Sequence, residues 1–172
     1  MKITNLKFSD KKKPSFYDVK VDDKGDVRYY NEEGRLHRLD GPAIEYACGT
    51  KAWYVNGKKH RIDGPAVVWG NNKAWHVNGK QHRLDGPAVE FSDGSKVWYV
   101  DDKRHRLDGP AVEWSDGTKQ WWVNDKLHRL DGPAIIWRDG SKEWHINGKR
   151  IGTSTKGFTD EKFEQWKKKH GL

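Results

Sequence analysis

The chain has 172 residues, 34% of them hydrophobic, with ten tryptophans, one cysteine and a formal net charge of +8. A chain of this length can form one ordinary domain, but so low an aliphatic content leaves too little for a thick globular core, and aromatic residues must supply the packing. No run approaches the roughly 18 apolar residues of a membrane span, the first residues lack an apolar leader, and Cys48 alone can form neither an intramolecular disulfide nor a cysteine-based zinc site, so the expectation is a soluble cytoplasmic protein without cofactors.

Residues 1–36 read as an N-terminal segment and a degenerate capping hairpin. The basic cluster Lys11-Lys12-Lys13 is followed by the turn residues Asp22 to Asp26, a strand at Val27-Arg28-Tyr29-Tyr30, and Glu33-Gly34-Arg35-Leu36. From residue 37 to 150 one motif, His-Arg-Leu/Ile-Asp-Gly-Pro-Ala, opens five copies at His37, His60, His82, His105 and His128, spaced 23, 22, 23 and 23 residues apart. A fixed period of this size marks units that cannot bury their apolar face alone and must stack on their neighbours.

Each copy carries two turn signals. The first is Asp-Gly at Asp93-Gly94, Asp116-Gly117 and Asp139-Gly140, replaced by Cys48-Gly49 and Gly70-Asn71-Asn72 in the first two copies. The second is Asn56-Gly57, Asn78-Gly79, Asp101-Asp102, Asn124-Asp125 and Asn147-Gly148. Read as two-residue type I′ turns, they give an all-β, elongated, single-layer antiparallel meander of two strands per copy. At about 4.8 Å per strand, the sheet would extend roughly 55 to 60 Å.

With Asp93-Gly94 as the turn, Val89 opposes Trp98 and Ala88 opposes Tyr99. One face then holds the ladder Ile44, Val67, Val89, Val112 and Ile135, a ring row through Phe91, and the tryptophans 53, 75, 98, 121 and 144. The other face presents Tyr54, His76, Tyr99, Trp122 and His145, the row that varies most and is the candidate partner-binding set. Proline in Asp-Gly-Pro removes a ladder donor and predicts a kink or bulge in every copy. Residues 151–172 replace a sixth motif with a capping helix. Thr159 is its N-cap, Asp160 and Glu161 lie in its first turn, Phe158 is placed to staple onto Phe163, and Lys167 to His170 complement its C-terminal dipole.

The +8 charge raises nucleic acid as a partner, but the five copies hold 19 Lys/Arg against 15 Asp/Glu, mixed in sign rather than gathered on one face. Motif histidines two strand spacings apart, roughly 10 Å, cannot share a metal ion. Five equivalent copies of His, Arg and Asp (His37, Arg38, Asp40; His60, Arg61, Asp63; His82, Arg83, Asp85; His105, Arg106, Asp108; His128, Arg129, Asp131) point to architecture, not to one catalytic pocket, so no enzyme and no metal are expected. The favoured expectation is a protein-binding module. A one-layer aromatic sheet must be covered by folded-back Leu39, Ile62, Leu84, Leu107 and Leu130 or by a second molecule, and homodimerisation would provide one. Binding of nucleic acid or nucleotide through aromatics and Lys/Arg is the alternative.

The string from Trp53 to His60, with its Asn-Gly-Lys turn, the period and the Asp-Gly-Ser/Thr turns resemble the MORN repeat over about two thirds of the chain. The departure is His-Arg-x-Asp-Gly-Pro-Ala where typical units continue His-Gly-x-Gly, as in variant repeats of bacterial and phage proteins. The resemblance implies a twisted, grooved meander used for protein association, dimerisation or phospholipid contact. It also implies that a phage-encoded chain of this kind would inhibit a host or defence protein.

Overall fold

The computed structural model describes residues 17–172, so Lys11-Lys12-Lys13 lie outside it. The described chain is all-β except for a 3-10 turn, Ser154–Lys156, and a C-terminal helix, Asp160–Lys169. Thirteen strands form one open antiparallel sheet, beginning with Asp18–Val21 and Val27–Tyr30, continuing through pairs such as Val89–Glu90 with Lys96–Val97, and ending at Lys142–Ile146 and Lys149–Thr153.

The sheet is one open antiparallel meander, and although the fifth copy's strand Lys142–Ile146 stays wholly within it, the second half of the strand leaves it in the first four copies. After the tryptophan the chain turns out into a short ribbon of its own: Tyr54–Val55 with Lys58–Lys59, His76–Val77 with Lys80–Gln81, Tyr99–Val100 with Lys103–Arg104, and Trp122–Val123 with Lys126–Leu127. Trp98 is the pivot. Its N–H donates to Ala111 O, and its carbonyl accepts from His105 N. Ribbons are tied to one another by single backbone bonds, as in Asp102 N to Gln81 O and Asp125 N to Arg104 O, each reinforced by the aspartate, whose Oδ1 accepts Gln81 N and Arg104 Nε respectively.

The two turn signals have different geometries. Asn56-Gly57, Asn78-Gly79, Asp101-Asp102, Asn124-Asp125 and Asn147-Gly148 have positive φ at both central residues, as type I′ requires. The Asp-Gly turn does not: only Gly94 has positive φ (90°), and Phe91 N bonds Ser95 O around a three-residue loop. Asp93 Oδ1 accepts Ser95 N at 2.8 Å, which holds that loop in shape. In the shorter second copy, Trp69 pairs with Asn72 across Gly70-Asn71, and only Gly70 has positive φ, a type II′ pattern. The shorter turn absorbs the missing residue and keeps the copies in phase.

The extra loop residue slips the expected register by one, pairing Val89 with Val97 and Glu90 with Lys96. A slip of one exchanges faces. Val89, Val97, Ala74 and Val112 therefore form the buried cluster, with Trp69, Phe91, Tyr99 and Trp122 packed against it, while Trp98 lies on the side of Glu90 and Lys96. The motif alanines 43, 66, 88, 111 and 134 have no exposed surface, which fixes where each copy meets the next.

Candidate functional site

The five motif loops line up along one side of the array, and each stacks its arginine on an aromatic ring and bonds it to the motif aspartate and proline carbonyl. Arg106 lays its guanidinium on the Trp98 ring, 4.1 Å from its centre. It donates to Asp108 Oδ1 at 2.9 Å, to Pro110 O at 3.2 Å and to Glu113 Oε1 at 3.1 Å. Arg38, Arg61, Arg83 and Arg129 stack in the same way on Tyr29, Trp53, Trp75 and Trp121. Stacking explains the following glycine: a Cβ on Gly86 would lie 2.9 Å from Arg83 Cζ, so only glycine lets the guanidinium lie flat. These hydrogen bonds hold the carboxyls of Asp63, Asp85, Asp108 and Asp131 below the usual carboxylate range.

Each motif histidine reaches the type I′ turn of the same copy. His60 Nδ1 accepts Asn78 N at 3.1 Å, His105 Nδ1 accepts Asn124 N at 3.2 Å and His128 Nδ1 accepts Asn147 N at 3.1 Å; His37 and His82 meet Asn56 and Asp101 equivalently. Among the described residues no group of three His, Cys, Asp or Glu side chains is arranged to hold a metal ion.

Leu39, Ile62, Leu84, Leu107 and Leu130 do not fold back over the aromatics, because the arginines already cover the tryptophans. They point outward, exposed by 63, 79, 80, 80 and 45%. Between successive loops lie four equivalent open grooves of 470, 590, 590 and 640 Å³. The third has Trp98 and Val100 as its floor and the loops of Leu84 and Leu107 as its walls.

The row Tyr54, His76, Tyr99, Trp122 and His145 lies elsewhere: the first four open the short ribbons, and His145 lies within the main-sheet strand Lys142–Ile146. Tyr99 and Trp122 pack on the apolar cluster, and burial pushes the Tyr54 and Tyr99 hydroxyls up in pKa. His76 and His145 are each only 7% exposed, and the Nδ1 atom of each has no partner. His145 Nε2 lies 2.9 Å from Glu143 Oε2. The exposed leucines were missed as a site because a side chain inside an invariable motif reads as core, whereas their outward direction depends on the arginine stack.

Burial, followed by the charge of Lys59, holds His76 below the ordinary histidine value. A depressed folded value means stability that is intact above about pH 6.5, the unfolded value, and is lost as acid protonates first the unfolded and then the folded chain. His76→Tyr, which places the residue of the neighbouring copies there, is expected to flatten the denaturation midpoint between pH 6.5 and 5. An unchanged pH slope would rule His76 out as the source.

Three central strand lysines stand beside acids or aliphatics. Lys96 lies between Glu90 and Glu113, Lys119 between Glu113 and Ile136, and Lys73 between Val68 and Glu90. No helix among the described residues is long and apolar enough to cross a membrane. No family model matches the chain, and no curated protein is significantly similar to it.

Proposed function

We propose that this chain is a non-catalytic protein-binding module, similar in kind to the MORN repeats, that engages its partner along the row of motif loops rather than through the tyrosine and histidine row. The observation that carries this reading is the leucine ladder. Large aliphatic side chains stand up to 80% exposed at the same position of every copy, in repeats that otherwise keep their large aliphatics at least partly buried. Single exposed leucines are ordinary, but a regular row of five beside open grooves marks an interaction surface. Alternation of glutamate and lysine across the strands disfavours a phosphate-tracking face, which needs one sign of charge.

The test is Leu84→Lys/Leu107→Lys, which alters exposed positions at little cost in stability. Affinity capture from lysate by the full chain is expected to lose its specific partner with this variant, while a Lys103→Ser/Lys126→Ser control on the ribbons retains it. Undiminished capture by the leucine variant would overturn the assignment of this face.

A further inference from the structure

The two ends of the array show what the middle grooves are shaped to hold. At the N-terminal end Tyr29 stands where later copies have tryptophan: its N–H donates to Ala43 O, its carbonyl accepts from His37 N, and Arg38 stacks on its ring. The place beside it, equivalent to a groove with one wall missing, is filled by Tyr17. That ring sits edge-on to Tyr29 at 6.0 Å and 6.2 Å from the His37 ring, and its hydroxyl accepts the Leu39 N–H at 3.0 Å. The same hydroxyl, after Arg38, helps hold the Asp40 carboxyl low.

At the C-terminal end the groove over Trp144 is closed by the helix. Phe158 packs on the Trp144 ring at 5.2 Å, and Lys167 Nζ donates to Leu130 O at 2.7 Å. Both terminal positions are thus filled by aromatic residues of the chain itself. The four grooves between them keep the same walls, and the N–H groups of Ile62, Leu84, Leu107 and Leu130, which correspond to that of Leu39, have no hydrogen-bond partner among the described residues.

We infer that the internal grooves are subsites for tyrosine side chains of a partner segment, each ring lying between successive loops with its hydroxyl on the Ile62, Leu84, Leu107 or Leu130 amide, as Tyr17 lies on Leu39. This rests on the loop face being the interface and names what that face recognises. Groove spacing defines the segment. Two strand spacings place grooves roughly 9.6 Å apart. A polyproline-II segment returns to the same face every third residue, about 9.3 Å on, whereas same-face residues of a β-strand are about 6.7 or 13 Å apart. The occupant is therefore an extended, proline-rich segment with tyrosine at every third position. The exposed aspartates 63, 85, 108 and 131 beside the grooves favour lysine at its flanks.

The test is titration of the full chain with a synthetic lysine-flanked peptide carrying three tyrosines, each separated by two prolines, followed by the amide signals of Ile62, Leu84, Leu107 and Leu130. These signals are expected to shift, and a peptide with one tyrosine should bind at least about tenfold more weakly, because linked subsites share a high effective concentration. Phenylalanine in place of any one of the three tyrosines should weaken binding about fivefold, the effect of one lost hydrogen bond. Alanine peptides binding equally well, or shifts confined to other residues, would overturn the inference. So would tighter binding of a helical peptide with tyrosine every seventh residue. If the tyrosine peptides fail while partner capture still depends on Leu84 and Leu107, tyrosine recognition falls and the protein-binding face stands; if capture also ignores those leucines, both fall.

Discussion

Arg106→Ala is expected to lower unfolding stability by about 2 to 4 kcal/mol, read from the urea midpoint. Stacking on a largely covered indole contributes up to about 2 kcal/mol, and a hydrogen bond to a charged group about 1.5 to 3, with overlap between them. Exposed Asp108 adds little, so the loss comes from Trp98, Pro110 and Glu113. Arg106→Lys should recover less than half of the loss, since an ammonium cannot stack flat and bond three acceptors in one plane. The array contains its own comparison. Arg61 stacks on Trp53 and bonds Pro65 and Asp63, but Val68 stands where Arg106 has Glu113. Arg61→Ala should therefore cost roughly 1 kcal/mol less than Arg106→Ala. Equal losses would show that the Glu113 bond contributes nothing, and a loss below about 1 kcal/mol at Arg106 would show that the stack is not what joins one copy to the next.

The arginine stack also marks where the sequence stops being legible. The period, the antiparallel β class, the type I′ turns at Asn-Gly and the Thr159-capped helix follow from local chemistry, which a sequence displays directly. The strand register does not, because Asp-Gly suits both a two-residue turn and a three-residue loop closed by left-handed glycine, and the choice between them exchanges faces. That ambiguity placed Tyr99 on the open side and Trp98 with the core ladder, whereas Tyr99 packs on Val97 and its neighbours, and Trp98 lies under Arg106. Gly86 was visible only as part of a kink; that it makes room for Arg83 is a tertiary fact. With the tryptophans covered by arginine, the leucines have nothing left to cover and stand exposed on the loops.

Phe163→Ala is expected to be the most damaging single change, because the helix does at the last copy what arginine does at the others. Trp144 has no sixth motif to supply a guanidinium. It is 1% exposed because Phe158 and the helix cover it, with Trp144 Nε1 donating to Asp160 Oδ1 at 3.2 Å. Phe163, also 1% exposed, anchors the helix, and truncation of a buried phenylalanine costs about 3 to 5 kcal/mol. A helix of ten residues does not hold its shape alone in water. The loss should therefore appear as helix unfolding, with Trp144 emission shifting to the red and strand Lys149–Thr153 left as an uncovered edge that promotes concentration-dependent self-association. Gly152→Ala should reach the same state from the other side, since a Cβ there would clash with three atoms of the Phe158 ring. Lys168→Ala, on the exposed face of the helix, should change neither signal. If Phe163→Ala leaves the helical signal and the tryptophan emission intact, the terminal helix does not substitute for a missing repeat, and the C-terminal end loses its weight as evidence of what the internal grooves accept.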